Sequence, residues 1–292
     1  MKLSTGILLK LVGVGLCYSI IQPCPVLAQG EPLVLGARAW GLGNATVADS
    51  DPSSPGANIA GIAAAEVTHI LAAYDTHYNL PGIGVFAASA VVPLPSQFVT
   101  SVAVLRFGDE QYHDLQASIG LAHRIEKVSL GLRFNYLQQA FNIPSLILSR
   151  RSLVMDMGGQ IMLGNRLRMG AHAYNLFQSS FSGEGGAKVP TILKIGLQYE
   201  PVPAVYLAAE LYKHTNLPTV VRGGLSYKPL PFLIIRTGIS AGPMTHHFGL
   251  GVQAQPFWFD YAVHSHNHLG WSHHLSIGYR LQRKETESGV AP

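Results

Sequence analysis

From about Val67 onward, apolar and polar residues alternate with a period of two over segments of about ten residues, and turn residues separate the segments. Val128, Leu130, Leu132, Phe134 and Tyr136 share one face, while Ser129, Gly131, Arg133 and Asn135 share the other. Leu193, Ile195, Leu197 and Tyr199 oppose Lys194, Gly196 and Gln198, and Phe248, Leu250 and Val252 oppose Gly249, Gly251 and Gln253. Leu275, Ile277 and Tyr279 oppose Ser276, Gly278 and Arg280. A helix would scatter these residues around its circumference; a strand sorts them onto two faces. The pattern predicts about fourteen strands, at 67–76, 83–92, 98–107, 113–124, 127–137, 152–163, 166–176, 190–200, 204–213, 218–228, 231–241, 246–255, 257–265 and 272–281. Tilted strands of about nine to eleven residues are long enough to cross a bilayer.

The connectors fall into two classes. Tight turns follow the even-numbered strands, such as Pro93-Leu94-Pro95-Ser96, Glu126-Lys127 and Pro229-Leu230. Several odd-numbered connectors read as longer, notably 138–151, 177–189 and 265–271. Short turns at one rim and longer loops at the other mark a transmembrane barrel, with the short side periplasmic. Closure also removes the sheet edges whose backbone groups lipid could not satisfy. Apolar faces that end in Tyr136, Tyr199 and Tyr227 suit an interfacial aromatic girdle.

Composition agrees. Only 12% of the 292 residues are charged and 48% are apolar, against about 25% charged in an ordinary soluble domain. Beyond the N-terminus no apolar run reaches the roughly 18 residues of a membrane-spanning helix. The formal net charge of +4 is scattered, with no Lys/Arg block, so no nucleic-acid partner is expected. Lys2 and Lys10, the apolar run Leu11–Ile21 and Val26-Leu27-Ala28 read as a signal peptide over 1–28, cleaved after Ala28. Cys17 and Cys24 are the chain's two cysteines and would leave with it, so the mature chain is expected to hold no disulfide, cysteine nucleophile or Cys-ligated zinc. Residues 282–292 read as a polar tail.

Residues 29–66 do not alternate. They are rich in glycine and alanine and read as a segment folded into the barrel, where small residues allow close backbone approach. Gly41-Leu42-Gly43 lacks the following lysine and strand–turn–helix context of a phosphate loop. Asp49-Ser50-Asp51 has donors for calcium but fits a turn or cap better.

Gly36-Ala37-Arg38-Ala39-Trp40-Gly41-Leu42-Gly43-Asn44-Ala45, followed by Asn58-Ile59-Ala60-Gly61-Ile62, resembles the N-terminal pattern of PorV/PorQ-type outer-membrane barrels, relatives of the FadL long-chain fatty-acid transporters. The resemblance rests on Gly36, Gly41, Gly43, Asn58 and Gly61; Ile59 stands where that pattern has proline. Tyr174-Asn175-Leu176, Val189-Pro190-Thr191-Ile192-Leu193-Lys194 and Leu269-Gly270-Trp271-Ser272 extend it. It implies a fourteen-strand all-β outer-membrane barrel that acts as an accessory or scaffold in type IX-like secretion or surface assembly, with envelope proteins as partners. Its alternative is a FadL-like passive importer of hydrophobic or anionic small molecules.

The alternation places Arg106, Arg124, Arg133, Arg168, Lys194, Arg222, Arg236 and Arg280 toward the lumen, against Glu210 and Asp260. Such a basic interior would either favour anionic solutes or pair internally with carboxylates, Asp49 and Asp51 among them. His246, His247, His264, His266, His268, His273 and His274 gather near two hairpins of the loop rim, and His264, His266 and His268 could share a face and bind zinc or copper. No serine stands in the context of an activated nucleophile, so neither enzyme activity nor a cofactor is expected.

Overall fold

The computed structural model describes residues 30–51, 56–144, 146–183, 187–266 and 269–281. The signal-peptide, C-terminal-tail and His268 expectations lie outside these residues. Fourteen antiparallel strands close into a barrel in simple sequence order, β1 pairing with both β2 and β14. The strands are β1 (His69–Thr76), β2 (Gly84–Pro93), β3 (Phe98–Gly108), β4 (Tyr112–Ile125), β5 (Val128–Ile143), β6 (Leu146–Met162) and β7 (Leu167–Tyr174). They continue as β8 (Ile192–Val202), β9 (Val205–His214), β10 (Val220–Leu230), β11 (Leu233–Ala241), β12 (Met244–Ala254), β13 (Phe257–His266) and β14 (Gly270–Arg280). Each overlaps the strand expected from the alternation.

The alternation also assigns the faces. Leu130, Leu132, Phe134, Leu193, Ile195, Leu197, Phe248, Leu250, Leu275 and Ile277 all point outward and are exposed. The residues that alternate with such positions along the strands point inward and are buried and polar, such as Arg133, Asn135, Gln198, Asp260 and Ser276. An apolar exterior around a polar interior inverts a soluble core, and it is stable where acyl chains cover the outside. No helix among the described residues is long and apolar enough to cross a membrane, and the strands make the crossing. Aromatic side chains sit toward both ends of the belt: Phe98, Tyr199, Tyr227 and Phe257 near the short turns, Tyr74, Phe86 and Trp271 near the loops.

Two expected loops are shorter than the sequence suggested. Residues 138–151 form no long loop: β5 and β6 pair without a break up to Ile143–Leu146, so a hairpin ribbon projects beyond the barrel. The run Leu146-Ile147-Leu148 hides the period of two, yet the backbone still satisfies its N–H and C=O groups in the ladder. The β13–β14 connector likewise shrinks to 267–269. The 175–191 connector is a genuine long loop and has a structural task. β7 pairs β6 only over Met157–Met162; above that, Leu176 N–H donates to Met155 O (3.0 Å) and Ser182 N–H to Arg151 O (2.8 Å), so the loop closes the wall. Asn175 holds its base, donating to Val189 O (2.7 Å) and accepting from Ser179 N–H (2.8 Å). Two stretches of the family-like pattern are thereby joined.

The N-terminal segment lies inside the barrel. Helix α1 (Ala37–Gly41) packs against β11–β14, and a 3-10 helix, η1 (Ile59–Ala64), packs against β3–β6. Leu35 adds to an apolar cluster with Leu71, Ala87, Leu105 and Trp258, and Ile59 and Ile62 pack on Val91, Val99 and Ala122. The wall is glycine where the segment touches it. A Cβ on Gly238 would stand 2.2 Å from Gly43 N, and one on Gly170 would stand 2.2 Å from Val47 O. Gly43 itself has φ +63°, a conformation that favours glycine.

Candidate functional site

The segment is fixed by polar contacts that the barrel strands supply. Asn58 is buried; its amide donates to Val47 O (2.7 Å), Ala171 O (3.2 Å) and Gly159 O (3.4 Å), and its Oδ1 accepts from Ala60 N–H (3.1 Å), capping η1. Glu210 on β9 accepts from Thr46 N–H (3.0 Å) and Val47 N–H (2.8 Å). Gln160 on β6 donates to Val47 O (3.1 Å) and Asp49 O (2.8 Å). Asp49 and Asp51 are taken up by Arg38 at 3.0 and 3.1 Å, and Asp51 N–H closes an Asx turn onto Asp49 Oδ1 at 3.1 Å. These carboxylates thus stabilise a turn.

Three of the luminal cations pair with carboxylates. Arg133 faces Asp156, its cross-strand partner, at 3.0 Å, and His172 approaches the same carboxylate oxygen at 3.0 Å. Arg222 meets its cross-strand partner Glu210 at 3.1 Å and stacks over Tyr212 at 4.0 Å. Arg236 reaches across β12 to Asp260 at 2.6 Å; the crossing is possible because Gly251 stands between them, where a Cβ would fall 2.6 Å from Asp260 Oδ1. Arg168 bonds Gln198 (3.2 Å) and the Ser50 hydroxyl of the segment. Lys194 lies over Tyr212, and Arg280 over Trp258. Arg133, Arg222 and Arg236 are thus paired internally, whereas Arg168, Lys194 and Arg280 meet amide, hydroxyl or aromatic groups.

Two of the ten charged positions leave the lumen. Arg106 is exposed on the outer face, because β3 turns Val99, Ser101, Ala103 and Leu105 inward and position 106 falls on the opposite parity. Its guanidinium donates to Asp109 O (3.0 Å) in the loop above the apolar belt, as a snorkelling cation does. Arg124 has inward parity but sits exposed at the short-turn rim, where it donates to Glu126 O (3.3 Å).

The histidines also rearrange. Rather than standing on the rim, His247, His264 and His274 are buried in the lumen and stack on Trp40 of α1. Trp40 lies 4.2 Å from the His274 ring and 4.8 Å from that of His264, whose Nδ1 is 2.9 Å from His274 Nε2. Trp40 Nε1 donates to Asp75 on β1 at 3.2 Å. His264 and His266 share a face as expected, but among the described residues no three His, Cys, Asp or Glu side chains are arranged to hold a metal ion. His246, one residue from His247 and so of opposite parity, points outward.

Above the segment, toward the loop rim, lies a cavity of about 440 Å³. Its floor is Gly30–Val34 and Trp40, its walls are the upper ends of β1–β5, and Tyr78, Ile83 and Phe181 enter from loops. Leu33, Val85, Phe107, Leu137 and Phe181 make it predominantly apolar. Burial pushes the His77 imidazole at its edge below its ordinary value, with Asp75 opposing the shift, and raises the Tyr78 phenol. Alternation could not have identified this cavity. Its residues come from five strands, a loop folded back from 175–191 and the non-alternating segment. On the far side of the segment, at the short-turn rim, a second recess of about 420 Å³ is lined by polar residues including Arg38, Asp51, Glu200 and Arg280.

The barrel as a whole has solved counterparts. The fold is that of the FadL-type channels. The Pseudomonas putida toluene transporter TodX superposes with a TM-score of 0.65 at 14% identity, covering 86% of this chain and 98% of that one. The CymD monoaromatic hydrocarbon channel gives 0.66 at 12% identity, covering 87% and 99%. A Pseudomonas aeruginosa FadL homologue gives 0.61 at 12%, covering 86% and 99%. No protein-family model matches the sequence, and no curated protein sequence matches it. At these identities the likeness is one of fold, and nothing in it points to the PorV/PorQ branch.

Proposed function

We propose that this protein is an outer-membrane channel that admits small, largely apolar molecules, with the cavity above the segment as their first binding place and the segment as the gate. The observation that carries this is the cavity itself. A concave, mainly apolar space of about 440 Å³ falls within the range of small-molecule sites, and it opens toward the loop rim of a barrel whose exterior is apolar. The solved barrels of the same fold include ones titled as a toluene transporter and a monoaromatic hydrocarbon channel, which supports the importer reading over a secretion scaffold.

Movement past the segment would require the Trp40 stack or the Asn58 contacts to yield, since α1 and η1 brace opposite walls. The test is uptake. Cells whose outer membrane carries the protein should accumulate radiolabelled toluene faster than cells that lack it, with no change for a hydrophilic disaccharide. Equal toluene uptake, combined with crosslinking of the barrel to a secretion complex, would restore the scaffold reading.

A further inference from the structure

The cavity's polar groups do not suit a pure hydrocarbon. Its lining includes three carboxylates, from Glu31, Asp75 and Asp114, and neither lysine nor arginine. Gln139 on β5, only 2% exposed, has its cross-strand neighbour Asp114 as a side-chain partner. Asp114 also accepts from Tyr112 Oη at 2.9 Å through Oδ2, and among the described residues no Lys or Arg faces its buried Oδ1. His113 is the nearest titratable neighbour of Asp114 along its own strand, and no Lys or Arg forms an ion pair with Asp75 or Asp114 among the described residues. Asp75 has His274, at 3.0 Å, the Trp40 indole and the nearby His77.

Each class of occupant meets these groups differently. A hydrocarbon would cover the Asp114–Gln139 pair and desolvate its carboxylate with no counter-charge at hand, which is costly. A carboxylate would add negative charge to three existing acids. An ammonium group offers three donors and the missing positive charge, while an attached apolar body would lie against Leu137, Phe107 and Phe181. From this we infer that the cavity selects small amphiphilic amines, with Asp114 and Gln139 as the head-group ligands. The inference rests on the importer reading and narrows its substrate class.

The test is calorimetric titration of the full-length barrel in detergent with three probes that share a phenylalkyl body: 2-phenylethylamine, ethylbenzene and 3-phenylpropionate. The amine should bind at least about tenfold more tightly than either of the others, the gain of one charge-assisted hydrogen bond. Asp114→Asn should erase that preference, and Gln139→Leu should reduce it; heat-modifiable gel mobility verifies that each variant is folded. Ethylbenzene or 3-phenylpropionate binding as tightly as the amine overturns the inference and leaves the importer reading intact. Failure of all three to bind, together with unchanged toluene uptake in cells, overturns both.

Discussion

Asn58→Ala isolates what holds the gate. The side chain lies in the lumen and bridges the segment to β6 and β7 through Gly159 O and Ala171 O, while bracing the segment against itself through Val47 O and Ala60 N–H. The amide has two N–H groups for three carbonyls, so the real loss is about two donated bonds and one accepted bond. Val47 O keeps Gln160 as a donor at 3.1 Å, which softens the loss there. At about 1 kcal/mol per buried bond, plus the cost of newly unsatisfied carbonyls, docking of the segment weakens by roughly 2–4 kcal/mol. That is roughly a thirty- to several-hundred-fold shift in the docked-to-released ratio. The barrel ladder is untouched, so the effect should appear in the segment and not in the wall. Limited proteolysis in detergent should cut the variant within residues 30–66 much faster than the parent, while both keep the same heat-modifiable mobility. Asn58→Asp is the sharper comparison: it preserves volume but turns an oxygen toward three carbonyls, so it should release the segment at least as readily as alanine. If either variant is cleaved no faster than the parent while its barrel is folded, Asn58 is not the latch and the docking argument fails.

Gly158→Ala attacks the same contact from the wall, because its Cβ would fall within 1.9 Å of Asn58 Oδ1; its proteolytic effect should resemble that of Asn58→Ala, and the double variant should be markedly less than additive. Asp156→Asn removes the carboxylate that Arg133, Asn135 and His172 all approach, and should cost roughly 3–5 kcal/mol of barrel stability, measured by urea unfolding in liposomes. Leu132→Arg places a cation on the outward face opposite Leu121, and should destabilise the liposome-inserted barrel by roughly 2–4 kcal/mol; a change near zero would contradict the lipid-facing assignment of that row.

The strands and their faces were legible in the sequence because lipid and lumen impose opposite polarity on successive residues, and a period of two records that directly. Leu130, Leu132 and Phe134 point out and Arg133 and Asn135 point in, as the pattern requires. What the pattern cannot carry is position along the strand. Arg124 has the right parity yet lies at the rim, and Leu146-Ile147-Leu148 belongs to a ribbon that alternation read as a loop. Arg106 was misplaced for a related reason: β3 carries small and apolar residues on both faces, so Val102 and Val104 do not stand out from Ala103 and Leu105 as a separate row. The site residues were harder still. Trp40 was visible only as a member of a glycine-rich motif, and nothing local joins it to Asp75, His264 and His274, which sit on β1, β13 and β14.

Charge shows the same limit more consequentially. A tally of luminal side chains gives an excess of cations, and the formal net charge is +4, which suggests attraction for anions. Pairing reverses the local sign. Arg38, Arg133, Arg222 and Arg236 each meet a carboxylate within 3.1 Å, so their fields are largely cancelled at the level of the segment, where the polar wall and the plug interlock. Arg168 and Arg280 lie on the side of the segment nearer the short turns, by the recess that Glu66 and Glu200 also line. The acids that remain without a cationic partner, Asp75 and Asp114, stand by the cavity on the opposite side. Small molecules that enter from the loop rim, as proposed, meet these acids first, within apolar walls. On the importer reading, selectivity is set by the groups at this entrance and not by the net charge of the chain.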